Sequence, residues 1–160
     1  MATRGFIRPG LAGLALAGVL AGTPVSAQEI KTYSKAGSFE DVKFDLNNAI
    51  VGRGLVIDQN GHIGRMLERT GADLGATKPI YKNAEFFSFC SAKLSRQMME
   101  AEPSNIGFCP YIVFIYETAS KPGEIVIGYR RPAITGNQDS QAALVQIEKL
   151  LDGIAQEAVK

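Results

Sequence analysis

The two cysteines, Cys90 and Cys109, are the residues of this sequence with the widest chemical range. They permit one internal disulfide, but they can also be two buried thiols, or a functional thiol or metal-binding pair. They do not form a CxxC motif, so the thioredoxin-type redox signature is absent. Cys90 ends a predicted strand and Cys109 precedes another, so a bridge requires the chain to return to the same sheet edge.

The single histidine, His62, lies four residues before Met66, which places both on one face of a predicted helix. In an exported protein, a set of His, Met and Cys ligands would suit copper, which is therefore a candidate cofactor. A lone histidine near a helix start is also typical of a capping or surface residue, and Met66 fits the core face. Both interpretations stay open.

Arg130 and Arg131 stand before Pro132 at the end of a predicted strand. Arg130 is a candidate for binding an anion, because guanidinium groups hold carboxylates and phosphates through paired hydrogen bonds. The alternative is a pair of solvated arginines that lead into a turn. The sequence contains no G-x-S-x-G, HExxH or Walker motif. It therefore predicts no catalytic residue.

The start of the chain has the three zones of a cleavable signal peptide, residues 1–27. Arg4 and Arg8 form a basic region, an uncharged apolar run follows, and small residues precede the expected cleavage after Ala27. The apolar run is shorter than the roughly 20 residues that span a bilayer. We expect a secreted protein, periplasmic in a Gram-negative bacterium, in which residues 28–160 form a single domain without a membrane span.

Removal of this leader changes the charge balance. Because the leader carries two arginines and no acid, the chain's 17 basic and 16 acidic residues become 15 and 16, a net charge of −1. A nearly neutral surface lacks the basic patch that nucleic-acid binding requires. We therefore expect no nucleic-acid partner.

The apolar pattern predicts strands that alternate with helices. The predicted strands are Ile30–Ser34, Leu55–Ile57, Glu85–Cys90, Tyr111–Tyr116 and Glu124–Arg130. Three helices are predicted to start after Ser38, His62 and Ser91, and a fourth near Asp139. Tyr111–Tyr116 is apolar at successive positions, which predicts a central strand buried on both faces. Residues 71–83 are predicted as a loop. The order β-α-β-(α)-β-α-β-β-α predicts an α+β fold, a mainly antiparallel sheet with helices packed on it.

The central stretch of residues 86–117 combines a strand ending in Cys90, a helix that stops near Glu102-Pro103, and a Cys109-Pro110 junction into an apolar strand ending in Tyr116-Glu117. This combination resembles the domain of unknown function 302 family. Many members carry Pro-Cys at the junction, whereas this chain carries the inverse order. The resemblance implies a compact α+β domain, a homodimer, and no established activity.

Three functions remain open at this level. The first is a non-catalytic accessory module that holds a small ligand, a thiol compound or a metal. The second is a thiol-based redox enzyme or partner that uses Cys90 and Cys109. The third is a structural domain that dimerises. The residues predicted to bind are Cys90, Cys109, His62 and Arg130, and the sequence does not identify the ligand.

Overall fold

The computed structural model of the chain describes residues 29–160. The predicted signal peptide, residues 1–27, lies outside this described part. Residues 29–160 form five strands, four α-helices and two short 3₁₀ segments, Ala72–Leu74 and Pro103–Phe108. The main elements are, in chain order, β1 (Ile30–Ala36), α1 (Phe39–Val51), β2 (Val56–Gly61), α2 (Ile63–Gly71), β3 (Tyr81–Cys90), α3 (Ala92–Ala101), β4 (Tyr111–Thr118), β5 (Glu124–Arg130) and α4 (Gln138–Ala158).

The strands form one sheet in the order β1-β5-β4-β3-β2, and every neighbouring pair is antiparallel. The predicted α+β class, the antiparallel sheet and the element order are confirmed. β4 is the central strand, as predicted, and β1 lies at one edge. No helix within residues 29–160 is long and apolar enough to cross a membrane.

Helices α1, α3 and α4 cover one face of this sheet, and the core lies between them. Phe87 and Phe89 of β3 and Val113 of β4 meet Leu46 of α1 and Leu144 of α4 there. The prediction that β4 is buried on both faces is wrong, because its burial alternates. Val113 is fully buried, whereas Ile112 is 47% exposed. With helices on one face, alternate side chains of each strand remain on an open face.

The aromatic side chains divide between these faces. Phe86 and Phe114 occupy the open face, where each ring lies across a glycine of the neighbouring strand. A Cβ at Gly61 would collide with the Phe86 ring, and one at Gly128 would collide with Phe114. Both glycines therefore let an aromatic ring lie flat on the sheet and cover the backbone.

Local sequence signals account for most helix boundaries. The Ser38 hydroxyl accepts a hydrogen bond of 3.1 Å from the Asp41 N–H, and Glu40 and Asp41 lie in the first turn of α1. Ser91 caps α3 in the same way through the Leu94 N–H. The helix ends before Pro103, whose ring cannot continue it.

Two local predictions need correction around α2. Met66, expected on the core face of its helix, is 43% exposed, and α2 contains no buried residue. The helix lies against β3 rather than over the main core. Residues 71–83 are also less irregular than predicted, because a 3₁₀ turn occupies Ala72–Leu74 and β3 already begins at Tyr81.

A single carboxylate, Asp152 of α4, ties this helix to the sheet edge. Its Oδ1 accepts hydrogen bonds from the hydroxyls of Tyr33, at 2.6 Å, and Tyr129, at 3.0 Å, and pairs with the Lys31 ammonium at 2.7 Å. Burial raises the pKa of Asp152, but hydrogen bonds from Lys31 and the two tyrosines outweigh it and bring the pKa to about 2. The ionised carboxylate therefore stabilises the fold.

We predict that Asp152→Asn lowers the free energy of unfolding by about 1 kcal/mol at pH 7, measured by urea denaturation. Because the folded-state pKa lies below the ordinary 3.8, this stabilisation is complete above about pH 5 and disappears as the pH falls toward 2. The difference between the native protein and the variant should therefore shrink on acidification. Asp58→Asn, at an exposed position without an ion pair within residues 29–160, is the matched control. An equal loss in both variants would contradict the assignment.

Candidate functional site

The structure brings Cys90 and Cys109 together at disulfide-bonding distance. Their Cα atoms are 6.3 Å apart, within the range that a bridge spans. β3 and β4 are antiparallel, so the end of one and the start of the other share a sheet edge. Within the described residues neither sulfur is a free thiol.

A second cluster surrounds Glu85, a carboxylate on the helix-covered side of β3. Its oxygens lie 2.9 Å and 3.0 Å from Lys43 Nζ, and Oε2 accepts a hydrogen bond of 2.9 Å from the Asn60 amide. Nδ1 of His62 lies 3.3 Å from Oε1. The carboxylate thus joins α1, the end of β2 and the start of α2 to the central part of β3.

Glu85 is built to stay ionised. Its side chain is only 12% exposed, and burial alone would raise its pKa. Hydrogen bonds from Lys43 and Asn60 outweigh the burial, and the pKa lies below its usual value. Nδ1 of His62 faces Glu85 at 3.3 Å, which leaves Nε2 as the ring nitrogen on the other side of the ring. Glu85 therefore orients His62 and Lys43, and itself has little capacity left for a ligand.

Glu85, Lys43 and His62 line an open cavity of about 850 Å³ between α2, the segment 72–80 and β3. Four cationic side chains line it, and three carboxylates oppose them. The cations are Lys43, Arg65, Lys78 and Lys82, and the anions are Glu40, Glu68 and Glu85. Two of the cations are already bound, because Lys43 pairs with Glu85 and Lys82 with Glu117. Arg65 and Lys78 have no ion pair within residues 29–160, so both are available to pair with an anionic ligand.

Arg130 lies elsewhere, in a second cavity of about 370 Å³ at the end of the sheet where β5 finishes and β4 begins. Its neighbour Arg131 is bound to two carboxylates, Glu29 through Nη1 and Glu148 through Nε, each at 2.6 Å. Arg130 and Arg131 therefore do not form one anion-binding site. Arg131 holds β5 to α4, whereas Arg130 has no ion pair within the described part of the chain.

His62 and Met66 lie one helical turn apart at the start of α2, as predicted. Cys90 and Cys109 lie at disulfide-bonding distance from each other. Within residues 29–160 no three His, Cys, Asp or Glu side chains are grouped so that they could hold a metal ion. Of the four residues predicted to bind, the structure thus joins only the cysteines, while His62 and Arg130 line separate cavities.

Sequence reasoning missed the acidic residues that organise these regions. Glu85 carried a signal, since a carboxylate within an aromatic strand must be paired if it faces the core. Glu117 at the end of β4 is 2% exposed and accepts hydrogen bonds from Lys82, Asn83 and the Gly123 N–H. The Gly123 N–H contributes most to lowering its pKa, followed by the two side chains, against burial. This carboxylate closes the β4–β5 turn.

The fold and the two cavities define a small α+β domain whose single antiparallel sheet is covered on one face by helices. The family model described as Domain of unknown function DUF302 matches residues 30–158, so the chain belongs to that family. The resemblance noted in the central residues is thereby confirmed.

A solved structure has the same fold. It is the crystal structure of the uncharacterized conserved protein DUF302 from Bacillus stearothermophilus, with a TM-score of 0.67 and 12% sequence identity. The likeness covers 82% of this chain and 98% of that chain. At this identity it shows the shared architecture alone. A search of curated proteins finds no match.

We predict that the purified, unreduced protein has no reactive thiol when denatured, and two after reduction, measured by thiol titration. The Cys90–Cys109 bridge spans 19 residues of sequence, for which loop-closure entropy predicts about 3 kcal/mol of stabilisation. Urea denaturation of the reduced protein should show a loss of that order. Two reactive thiols before reduction would contradict the bridge and would favour the thiol-based function.

Proposed function

We propose that this protein is a non-catalytic binding module that holds a small polar anion in the cavity lined by His62, Arg65 and Lys78. The observation that carries this proposal is that Arg65 and Lys78 line this cavity without an ion pair within residues 29–160. Glu85 already pairs with Lys43 and accepts a hydrogen bond from Asn60, and the other lining carboxylates are Glu40, 3.9 Å from Lys43, and Glu68.

The cavity volume supports a small ligand, because about 850 Å³ lies within the range of 300–1,000 Å³ typical of small-molecule sites. The wall is pre-organised, since the Glu85 cluster holds His62 and Lys43 in place before a ligand arrives. Exposed cations provide electrostatic attraction, and His62 Nε2 provides a hydrogen-bonding position. A dicarboxylate or phosphate-bearing compound has the matching chemistry.

Two further expectations accompany this proposal. The signal-peptide pattern supports export of the module, and a disulfide agrees with an oxidising compartment. The thiol-based alternative has less support, because it requires a thiolate and both sulfurs lie at bonding distance. The homodimer stays a prediction, for which the open sheet face offers an apolar surface.

We predict saturable binding of succinate at low salt, measured by calorimetry and by ¹⁵N amide shifts around Arg65 and Lys78. Succinamide, which has the same carbon skeleton without charge, should bind at least about tenfold more weakly, because charged hydrogen bonds are stronger than neutral ones. Phosphate should compete, and added salt should weaken binding since both cations are exposed.

The test variant is Arg65→Gln combined with Lys78→Gln, which should lower succinate affinity at least about tenfold. Lys93→Gln, which removes one exposed positive charge on α3, is the control and should bind as the native protein does. Neither test substitution touches the core, so circular dichroism should be unchanged. No saturable binding of succinate or phosphate, or equal affinity in the double variant, would overturn the proposal.

A further inference from the structure

The second cavity differs from the first in its chemistry. It lies at the end of the sheet, beside the chain that enters β4 and the chain that leaves β5. Ile30, Phe108, Ile112, Phe114 and Pro132 contribute apolar side chains, and Arg130 is the single charged residue that residues 29–160 contribute to its lining. Tyr111 also contributes, but its hydroxyl is already hydrogen-bonded to Ser95 at 2.9 Å.

The apolar lining remains accessible. Ile30 is 56% exposed and Ile112 is 47% exposed, because they point to the sheet face that the helices leave open. The Phe114 ring lies across Gly128 and extends the same surface. Large apolar side chains gathered around a concavity, rather than scattered, are typical of a ligand site.

Arg130 is likewise exposed. β5 pairs Arg130 with Ile30 of β1, so the guanidinium is placed beside the apolar wall. It has no ion pair within residues 29–160, in contrast to Arg131, which holds Glu29 and Glu148. A cation at the side of an otherwise apolar cavity complements a molecule with one anionic group and an apolar body.

We propose that this second cavity binds an amphiphilic monocarboxylate, with its carboxylate on Arg130 and its hydrocarbon part against Ile30, Ile112 and Phe114. At about 370 Å³ the cavity is near the lower end of the range for small-molecule sites, which favours a short or medium chain. The proposal does not rest on the polar-anion cavity, which shares none of its lining residues.

The experiment uses octanoate, with octan-1-ol as a probe of equal chain length without charge. Octanoate should bind saturably below its micellar concentration and shift the ¹⁵N amide signals of Gly107, Ile112 and Arg130. Arg130→Gln should weaken octanoate binding at least about tenfold and leave the weaker binding of octan-1-ol unchanged. Arg130 is exposed, so this substitution leaves the fold intact.

Lys93→Gln is again the matched loss of one positive charge, and it should bind octanoate as the native protein does. The Arg65→Gln, Lys78→Gln double variant should also retain octanoate binding, which separates the two sites. Equal octanoate affinity in Arg130→Gln, octan-1-ol binding as tight as octanoate, or amide shifts confined to other regions would overturn the proposal.

Discussion

Strands β3 and β4 pair along their length, from Tyr81 opposite Thr118 to Phe89 opposite Tyr111, and the remaining structure is organised on this ladder. Its antiparallel direction places Cys90, the last residue of β3, beside Cys109, which precedes β4. Its opposite end places Lys82 and Asn83 beside Glu117. A parallel pairing would have separated the cysteines by the length of a strand, roughly 20 Å. The approach of the two cysteines to disulfide-bonding distance and the buried Glu117 network therefore both depend on the antiparallel direction of this pair.

The helices cover one face of the sheet, and the apolar cavity lies at the end of the sheet, where side chains of the open face and of α4 both line it. On the covered face, side chains from α1 and α4 complete the burial of Phe87 and Val113. On the open face, Phe114 covers the backbone at Gly128, while Ile30 and Ile112 remain accessible. Since residues 29–160 form one sheet, with α1, α3 and α4 on one face, these three helices do not cover the apolar side chains of the other face. Arg130 lies among them because β5 ends at that corner.

Three carboxylates connect helices, strands and turns through hydrogen bonds and ion pairs. Asp152 connects α4 to β1 and β5, Glu85 connects β3 to α1 and α2, and Glu117 closes the turn after β4. Each is partly or wholly buried and each is surrounded by donors, which offsets the cost of removing its charge from water. All three have pKa values below the usual carboxyl range, so acidification should weaken these connections together. Because the donors around them already use their oxygens, these three carboxylates are poorly placed to bind a ligand, whereas Arg65, Lys78 and Arg130 have no ion pair within residues 29–160.

The sequence by itself determined the element order, the α+β class and the helix starts at Ser38 and Ser91, because periodicity and capping are local properties. It also contained the family signature and identified His62 and Arg130 as polar residues near element ends. It did not determine that β4 is exposed on one face, since an apolar run looks the same whether one side or both are covered. Nor did it bring Glu85 to His62 and Lys43, or Arg130 to Ile30, because these neighbours are distant in the chain. Strand pairing and helix placement decided the exposure of β4 and the neighbours of Glu85 and Arg130, since only long-range packing fixes which side chains share a cavity.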